Sequence, residues 1–283
     1  MKEKVWFCRE RKIPLDPPLI MGVLNVTPDS FFDGGRYFEP DAAFDRAREM
    51  VRQGADIIDV GGESTRPGAC EVEVKEELKR VVPVICRITA ELDVAVSIDT
   101  RHLPVAEAAL NAGAHIINNI MPLDESGEFA RLAVQSRSGL VLMHMRGSPE
   151  TMTELTDYDN VLEDVAHRLQ ECVEFALAQG VARKQIVIDP GIGFAKKTIH
   201  NLELLAHLER IREIAPVLVG VSHKRFIGEL CSSPDVEDRI GGSIGAALMS
   251  ILHGASIVRV HDVKETRQAV TVADAIENRK KQG

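Results

Sequence analysis

Nine polar side chains stand at or just after the ends of short apolar runs in this sequence. They are Asn25, Asp59, Asp99, Asn118, His144, Asp189, Lys224, Arg259 and His261. Lysine and arginine side chains bind phosphate groups, whereas carboxylate and amide oxygens accept hydrogen bonds from a nitrogen-rich planar ring. If the fold brings these residues together, they can bind a ligand with a donor-rich heterocycle at one end and a phosphate at the other.

The first apolar run leads into the stretch GVLNVTPDSFFDGG, residues 22–35. Phe31 and Phe32 are unusual there, because loops run over the surface and are mostly polar. Either the two rings pack back on the body of the protein, or the loop closes over a ligand.

A second loop, GGESTRPG at residues 61–68, follows the next apolar run. Its two glycines allow close approach of the backbone, and Thr65 and Arg66 can bind an anion. A plain turn would need only the glycine and the proline, so we predict that this loop binds ligand.

Three similar segments indicate which elements position these residues. They read QGADIIDV (53–60), AGAHIINN (112–119) and HGASIVRV (253–260). In each, Gly-Ala follows a helix-like stretch and precedes β-branched residues, which is typical of a helix end leading into a strand. We interpret them as copies of one helix–loop–strand unit.

The same template finds five further strands and the helices between them. The strands are 18–25, 93–99, 139–145, 185–190 and 216–222, which makes eight in all. The helices are 41–53, 71–91, 159–179, 202–213, 242–253 and 263–279, and Pro83 should kink or split the second. Apolar strands that alternate with helices predict a parallel sheet, and eight such units predict a (β/α)₈ barrel.

We therefore expect an α/β protein with a single TIM barrel and long mobile loops after its first and second strands. The domain covers 1–283, with the barrel core at about 18–279 and an N-terminal extension at 1–17. Five scattered cysteines without a C-x-x-C pair indicate reduced thiols and not a zinc site or a disulfide frame.

In such a barrel, chemistry collects at the carboxyl ends of the strands, and phosphate often binds after strands 7 and 8. Asp59, Asn118 and Arg259 hold the same register position in the three similar segments, so their side chains should point the same way. If that way is inward, the barrel mouth is a ring of polar groups above an apolar core. Met143 could form the floor under a ligand ring, although methionine in a barrel strand more often belongs to the core.

Composition excludes several classes of function. The 283 residues carry a net charge of -9 and show no long basic cluster, which argues against nucleic-acid binding. No apolar stretch approaches the roughly 18–20 residues of a membrane span. The charged start MKEKVWFCRERK does not resemble a secretory signal, so we expect a cytoplasmic protein.

These motifs together resemble the dihydropteroate synthase family. LNVTPDSFFDGG, GGESTRPG, SIDT, HIIN, LMHM, DPGIGF, VSHK and RVHDVKET follow in the family's order from about residue 20 to 270. The resemblance implies a transferase of folate biosynthesis, a sulfonamide target, that joins 6-hydroxymethyl-7,8-dihydropterin diphosphate to 4-aminobenzoate. It also implies Mg²⁺ as cofactor and a homodimer with small-molecule substrates.

The resemblance assigns roles residue by residue. It implies catalytic roles for Asp99, Lys224, Arg259 and His261, and substrate-binding roles for Phe31, Thr65, Arg66, Pro67, Asp99, Asn118, Met143, Asp189, Lys224, Arg225, Arg259 and His261. Asp99, Asn118, Asp189 and Lys224 would hold the pterin, with Arg259 stacked on its ring. Asn25 would meet the metal and the diphosphate, beside Thr65 and His261. Phe31 and Pro67 would shape the aminobenzoate pocket, and the loop bearing Phe31 and Phe32 would close over the loaded site.

Two positions depart from the family's pattern. Its strand-7 motif is usually Ser-Arg-Lys-Ser, but this chain has Ser222, His223, Lys224 and Arg225. An arginine can pair with the carboxylate of aminobenzoate, so Arg225 bears on the affinity for that substrate and for sulfonamides. Asn119 stands where an aspartate is common.

Two other functions stay open from the sequence. A pterin-binding methyltransferase domain shares this barrel, but it has no diphosphate to hold and so would not need the two loops. A non-catalytic paralogue would bind a pterin compound without turnover, and the altered strand-7 motif is its only support.

Overall fold

The computed structural model describes residues 4–27, 40–63, 72–119, 126–148 and 151–280. Eight parallel strands form the sheet that was predicted. They are β3 (Leu19–Asn25), β4 (Ile57–Gly61), β5 (Ala95–Asp99), β6 (Ile116–Asn119), β7 (Gly139–Met143), β8 (Ile186–Asp189), β9 (Leu218–Gly220) and β10 (Ile257–Val260). The strands are ordered β8-β7-β6-β5-β4-β3-β10-β9, and an isolated parallel bridge from Ile188 to Val217 joins the two ends. The (β/α)₈ barrel is therefore confirmed.

Helices connect the strands on the outside of the barrel. They are α1 (Pro40–Arg52), α2 (Val74–Glu91), α3 (Leu103–Asn111), α4 (Glu128–Ser136), α5 (Val161–Ala178), α6 (Thr198–Ala206), α7 (Leu208–Ile211), α8 (Arg225–Cys231), α9 (Ile240–Leu252) and α10 (Val263–Lys280). The three similar segments behave as predicted: Gly54, Gly113 and Gly254 follow α1, α3 and α9 with φ of 100°, 107° and 110°. Only glycine adopts that backbone conformation without strain.

The structure gives the detailed course of two predicted helices. Pro83 does not split α2, which runs unbroken through it. Pro83 and Lys79 are both exposed, so the helix carries its proline on the solvent side, where a missing backbone hydrogen bond costs least. The helix predicted at 202–213 starts earlier and is interrupted at His207, whose φ and ψ of -125° and 35° are not helical.

The N-terminal extension closes the bottom of the barrel. Strands β1 (Val5–Cys8) and β2 (Arg11–Pro14) form an antiparallel hairpin. Trp6 and Cys8 are buried in one cluster with the inward-facing residues of the barrel strands, including Met21, Ile57 and Ile257. The Trp6 indole N–H donates to the Gln185 carbonyl at 2.7 Å. A larger core cluster fills the layer between barrel and helices.

No helix in the described part of the chain has the length and hydrophobicity of a membrane span.

Candidate active site

The mouth of the barrel is polar because side chains alternate along each strand. Ile57, Ile116 and Ile257 belong to the apolar cluster inside the barrel. Two residues later on the same strands come Asp59, Asn118 and Arg259, so their side chains also face the inside. The polar groups therefore lie directly above the apolar interior, as the register predicted.

Arg259 is the centre of this polar layer. Its Nε donates to Asp59 Oδ2 at 2.6 Å and its Nη2 to Asp99 Oδ2 at 2.5 Å. Asn118 Nδ2 donates to the same Asp59 oxygen at 3.1 Å. Burial would lower the pKa of Arg259, but Asp59 and Asp99 outweigh it and hold the pKa above its usual value. The guanidinium is thus fixed in place and always charged.

Arg259 bonds to one oxygen of each of these two carboxylates and leaves the other oxygen of each without a described donor. Asp59 is fully buried and Asp99 is 7 % exposed. Oδ1 of each is buried and accepts no hydrogen bond from any residue that the structure describes. Burial raises the pKa of Asp99 to about 7, against the lowering effect of Arg259. Such an unpaired acceptor is costly unless a ligand donates to it.

Asp189 ends β8 on the other side of the mouth. Its Oδ1 accepts the backbone N–H of Gly191 at 2.7 Å, and burial raises its pKa. Gly191 has φ of 67°, and a Cβ there would come within 2.0 Å of the His144 carbonyl oxygen. The turn after β8 therefore packs so closely against β7 that it requires glycine.

Lys224 crosses this turn. Its ammonium lies 4.3 Å from the centre of the Phe194 ring, and burial lowers its pKa to about 8. Its aliphatic stem passes over Gly193, where a Cβ would lie 3.1 Å from Lys224 Cδ. Phe194 packs in turn with Met143 and Met145 in a small apolar cluster. Met143 is thus part of a buried cluster directly below the lysine.

A pair of histidines stands after β9 and β10. Ser222 Oγ accepts the backbone N–H of His261 at 3.2 Å and lies 3.1 Å from Nδ1 of the same ring. Ser222 Oγ can donate its own proton to Nδ1, and in that tautomer the ring proton of His261 is on Nε2. His223 Nε2 bonds to Asp262 Oδ2 at 2.6 Å, and its ring lies edge-on to His261 with centroids 5.1 Å apart.

The other predicted site residues divide into two groups. Asn25 ends β3 at the mouth, with its Oδ1 3.8 Å from the position of a Cβ on Gly61. Asn119 is buried at the end of β6. Arg225 begins α8, where its side chain is 88 % exposed and pairs with Glu229 at 2.8 Å. Phe31, Phe32, Thr65, Arg66 and Pro67 lie outside the described residues.

Lys196 is a site feature that sequence reasoning missed. It is only 9 % exposed, and its ammonium bonds to His144 Nδ1 and to two backbone carbonyls of the turn after β8. In the sequence it reads as the first of two lysines before a helix, which is typical of a surface position. Its burial follows from the path of the turn and has no local signal.

One acidic cluster near the mouth could in principle hold a metal ion. Ligand atoms of Glu63, Glu77 and His102 lie within 4.8 Å of one another. However, both Glu63 oxygens accept from Arg101, at 2.9 and 3.0 Å, and Glu77 already bonds to His102 at 2.7 Å. An ion there would have to displace a guanidinium, so the donor set does not suit a divalent cation.

Comparison with known proteins agrees with this geometry. Residues 21–261 match the family described as pterin binding enzyme. The chain is 44 % identical over 258 residues to a dihydropteroate synthase of Synechocystis, covering 91 % of this chain and 89 % of the relative. The Xanthomonas albilineans dihydropteroate synthase solved with 4-aminobenzoic acid has a TM-score of 0.92 at 42 % identity, covering 98 % and 99 % of the two chains. The same enzyme in complex with 7,8-dihydropteroate has a TM-score of 0.87 at 40 % identity, covering 95 % and 97 %.

Proposed function

The chain belongs to the dihydropteroate synthase family of pterin binding enzymes, and we propose how the mouth of its barrel performs that family's reaction. The enzyme is a transferase that condenses 6-hydroxymethyl-7,8-dihydropterin diphosphate with 4-aminobenzoate, giving 7,8-dihydropteroate and diphosphate. The observation that carries the assignment of the site is the buried Oδ1 of Asp99, which accepts no hydrogen bond from the described part of the chain.

Asp99, Asn118, Asp189 and Lys224 hold the pterin in this proposal. A pterin ring presents amino and ring N–H donors along one edge, and the buried carboxylates of Asp99 and Asp189 accept them. The low-dielectric surroundings strengthen such charge-assisted hydrogen bonds. Arg259, which donates to both Asp59 and Asp99, stacks on the ring and faces the anionic end of the substrate.

The diphosphate leaves toward the histidine side of the mouth. With its ring proton on Nε2, His261 is a hydrogen-bond donor, and Arg259 supplies a permanent positive charge beside it. The C–O bond at the pterin methylene breaks and its electron pair leaves with the diphosphate. The amine of aminobenzoate then forms the new C–N bond and loses a proton.

We propose that bond breaking runs ahead of bond making, because the electron-rich pterin and the carboxylates of Asp99 and Asp189 stabilise positive charge on the methylene. A secondary deuterium isotope effect at that carbon measures this directly. A clearly normal effect is expected, and a negligible one contradicts the cation-like step.

Mg²⁺ is proposed as a cofactor that arrives largely with the substrate. An amide oxygen is a ligand of the kind that Mg²⁺ prefers, and this ion usually combines one or two protein oxygens with substrate phosphates and water. Asn25 at the mouth fits that pattern and would hold it. When bound, the ion would neutralise charge on the departing diphosphate.

A homodimer is proposed through the outer face of α9 and α10. Ile244, Leu248, Ala269, Val272, Ala273 and Ile276 line an apolar groove there. Val272 and Ile276 are 61 % and 57 % exposed, which is unusual for such side chains on a monomer surface.

The decisive experiment measures dihydropteroate from purified protein, the pterin diphosphate and labelled 4-aminobenzoate, with Mg²⁺ or with EDTA. Mg²⁺-dependent product is expected. Pterin binding without product would favour the non-catalytic paralogue, and product that persists in EDTA would contradict the metal proposal. The methyltransferase alternative is not favoured, since the relatives found are dihydropteroate synthases.

A further inference from the structure

Lys196 is a buried ammonium with a complete set of acceptors. It bonds to His144 Nδ1 at 3.0 Å, to the Gly191 carbonyl at 3.0 Å and to the Phe194 carbonyl at 2.9 Å. An ammonium has three N–H donors, so these bonds use all of them. Burial, together with the charge of Lys196, lowers the pKa of His144 to about 2, so His144 is neutral and can accept through Nδ1.

The two carbonyls belong to the residues that support the proposed pterin site. The N–H of Gly191 donates to Asp189 Oδ1 at 2.7 Å, so holding Gly191 orients that carboxylate. The ring of Phe194 lies under the Lys224 ammonium at 4.3 Å. The Lys196 ammonium therefore holds the backbone of Gly191, which orients Asp189, and the backbone of Phe194, whose ring lies under Lys224.

Burying the Lys196 ammonium costs free energy of folding, so stability alone does not account for a lysine at this position. Burial lowers the pKa of Lys196 to about 7, and Asp189 only partly offsets that effect. The neighbouring residues Met143, Met145 and Met152 form an apolar cluster with Phe194 and Ala195, where an uncharged side chain would pack without desolvating a charge.

We propose that Lys196 is a positioning residue for the pterin: it fixes the turn after β8 so that the Asp189 carboxylate and the Lys224 ammonium face the ring together. The inference rests on the proposed function of this mouth. It concerns the pterin ring alone, so we expect the binding of the diphosphate group and of aminobenzoate to be unaffected.

The test uses calorimetric binding of 6-hydroxymethylpterin, which lacks the diphosphate, to the full chain and its variants. Lys196→Met should weaken pterin binding at least tenfold and leave the KM for aminobenzoate within twofold. Lys197→Met is the matched control, because Lys197 is the next residue and its side chain is 58 % exposed. Its pterin affinity should equal that of the unaltered chain.

A folded Lys196→Met protein that binds the pterin within twofold of the unaltered chain overturns the inference and leaves the proposed function intact. If Lys196→Met does not fold, Lys196→Gln takes its place under the same criterion, because its amide has only two N–H donors and cannot bond to His144 and to both carbonyls at once. An unaltered chain that binds no pterin overturns both.

Discussion

Arg259 donates from Nε to Oδ2 of Asp59 at 2.6 Å and so joins the last barrel strand to the second across 200 residues of chain. The same guanidinium also donates from Nη2 to Oδ2 of Asp99. Because two buried carboxylates share this guanidinium, Oδ1 of each accepts no hydrogen bond from the residues that the structure describes. A buried acceptor without a donor destabilises the fold, and in the proposed function the Oδ1 of Asp99 accepts from the pterin ring.

Replacing Asp99 with asparagine separates these two effects. Asp99→Asn should weaken pterin binding roughly 10- to 100-fold, the range for losing a hydrogen bond to a charged group, while the unfolding free energy at pH 8 should not fall. Calorimetric binding and urea denaturation measure the two quantities. Asp93→Asn, at a site whose side chain is 95 % exposed, should change neither. A large loss of stability at pH 8 in Asp99→Asn would contradict this account.

The same variant tests the pH dependence of stability. Burial raises the pKa of Asp99 from 3.8 to about 7, so the folded chain keeps a proton that the unfolded chain releases within that window. Stability from this group is therefore lost as the pH rises from about 4 to 7. Asparagine does not titrate, so the unaltered chain should lose stability relative to Asp99→Asn across that window and level off above it. A difference that stays constant with pH is the contrary result.

The N-terminal hairpin should matter for stability and not for chemistry. Trp6 is 1 % exposed and fills the bottom of the barrel, so Trp6→Ala should cost about 3–5 kcal/mol of unfolding free energy. The KM values should stay within twofold at a temperature where the variant is folded. Phe7→Ala is the control, since Phe7 faces outward with Lys184 3.8 Å above its ring and should cost far less. Equal losses of unfolding free energy in Trp6→Ala and Phe7→Ala would show that Trp6 has no special role in filling the bottom of the barrel.

Arg225 should affect aminobenzoate and not the pterin. Its side chain is exposed and forms a surface ion pair with Glu229. Such a pair contributes little to stability, so Arg225 can turn toward a carboxylate. Arg225→Ser should raise the KM for aminobenzoate several-fold and weaken sulfonamide inhibition in parallel, with pterin affinity unchanged. Glu229→Gln, which frees the arginine, should not raise that KM. An unchanged aminobenzoate KM in Arg225→Ser would remove Arg225 from the site.

The apolar face of α9 and α10 predicts the oligomeric state. Val272→Asp combined with Ile276→Asp should shift the protein from dimer to monomer in sedimentation equilibrium, because each places a charge in the proposed interface. Val134→Asp, on the separate helix α4 and 36 % exposed, should stay dimeric. A monomeric unaltered chain would refute the proposal.

The barrel could be predicted because its signals are local and repeated. Gly54, Gly113 and Gly254 mark three equivalent helix ends. The shared register of Asp59, Asn118 and Arg259 predicts that their side chains point the same way, and the structure joins them by hydrogen bonds. The hairpin at 5–14 could not be predicted, since its two strands have four residues each and the barrel residues on which Trp6 and Cys8 pack are remote in sequence.

The sequence predicts which strands end in polar side chains, but it does not predict how those side chains pair with one another. The strand ends supply Asp99, Asp189 and Arg259, but which carboxylate pairs with the guanidinium depends on side chains up to 200 residues apart. Lys196 is the clearest example, because its burial arises from a turn whose conformation depends on Gly191 fitting against His144.

The barrel has a seam. Among the described residues, β8 and β9 meet through the single bridge between Ile188 and Val217, whereas the other neighbours share longer ladders, such as the five paired residues of β4 and β5. Asp189 stands on one side of that seam and Lys224 on the other. A pterin bound to both Asp189 and Lys224 would connect the two strands. Amide hydrogen exchange in β8 and β9 should therefore slow on binding far more than in β4 and β5. The bound ligand would thus reinforce the closure of the barrel at the place where the backbone provides a single bridge.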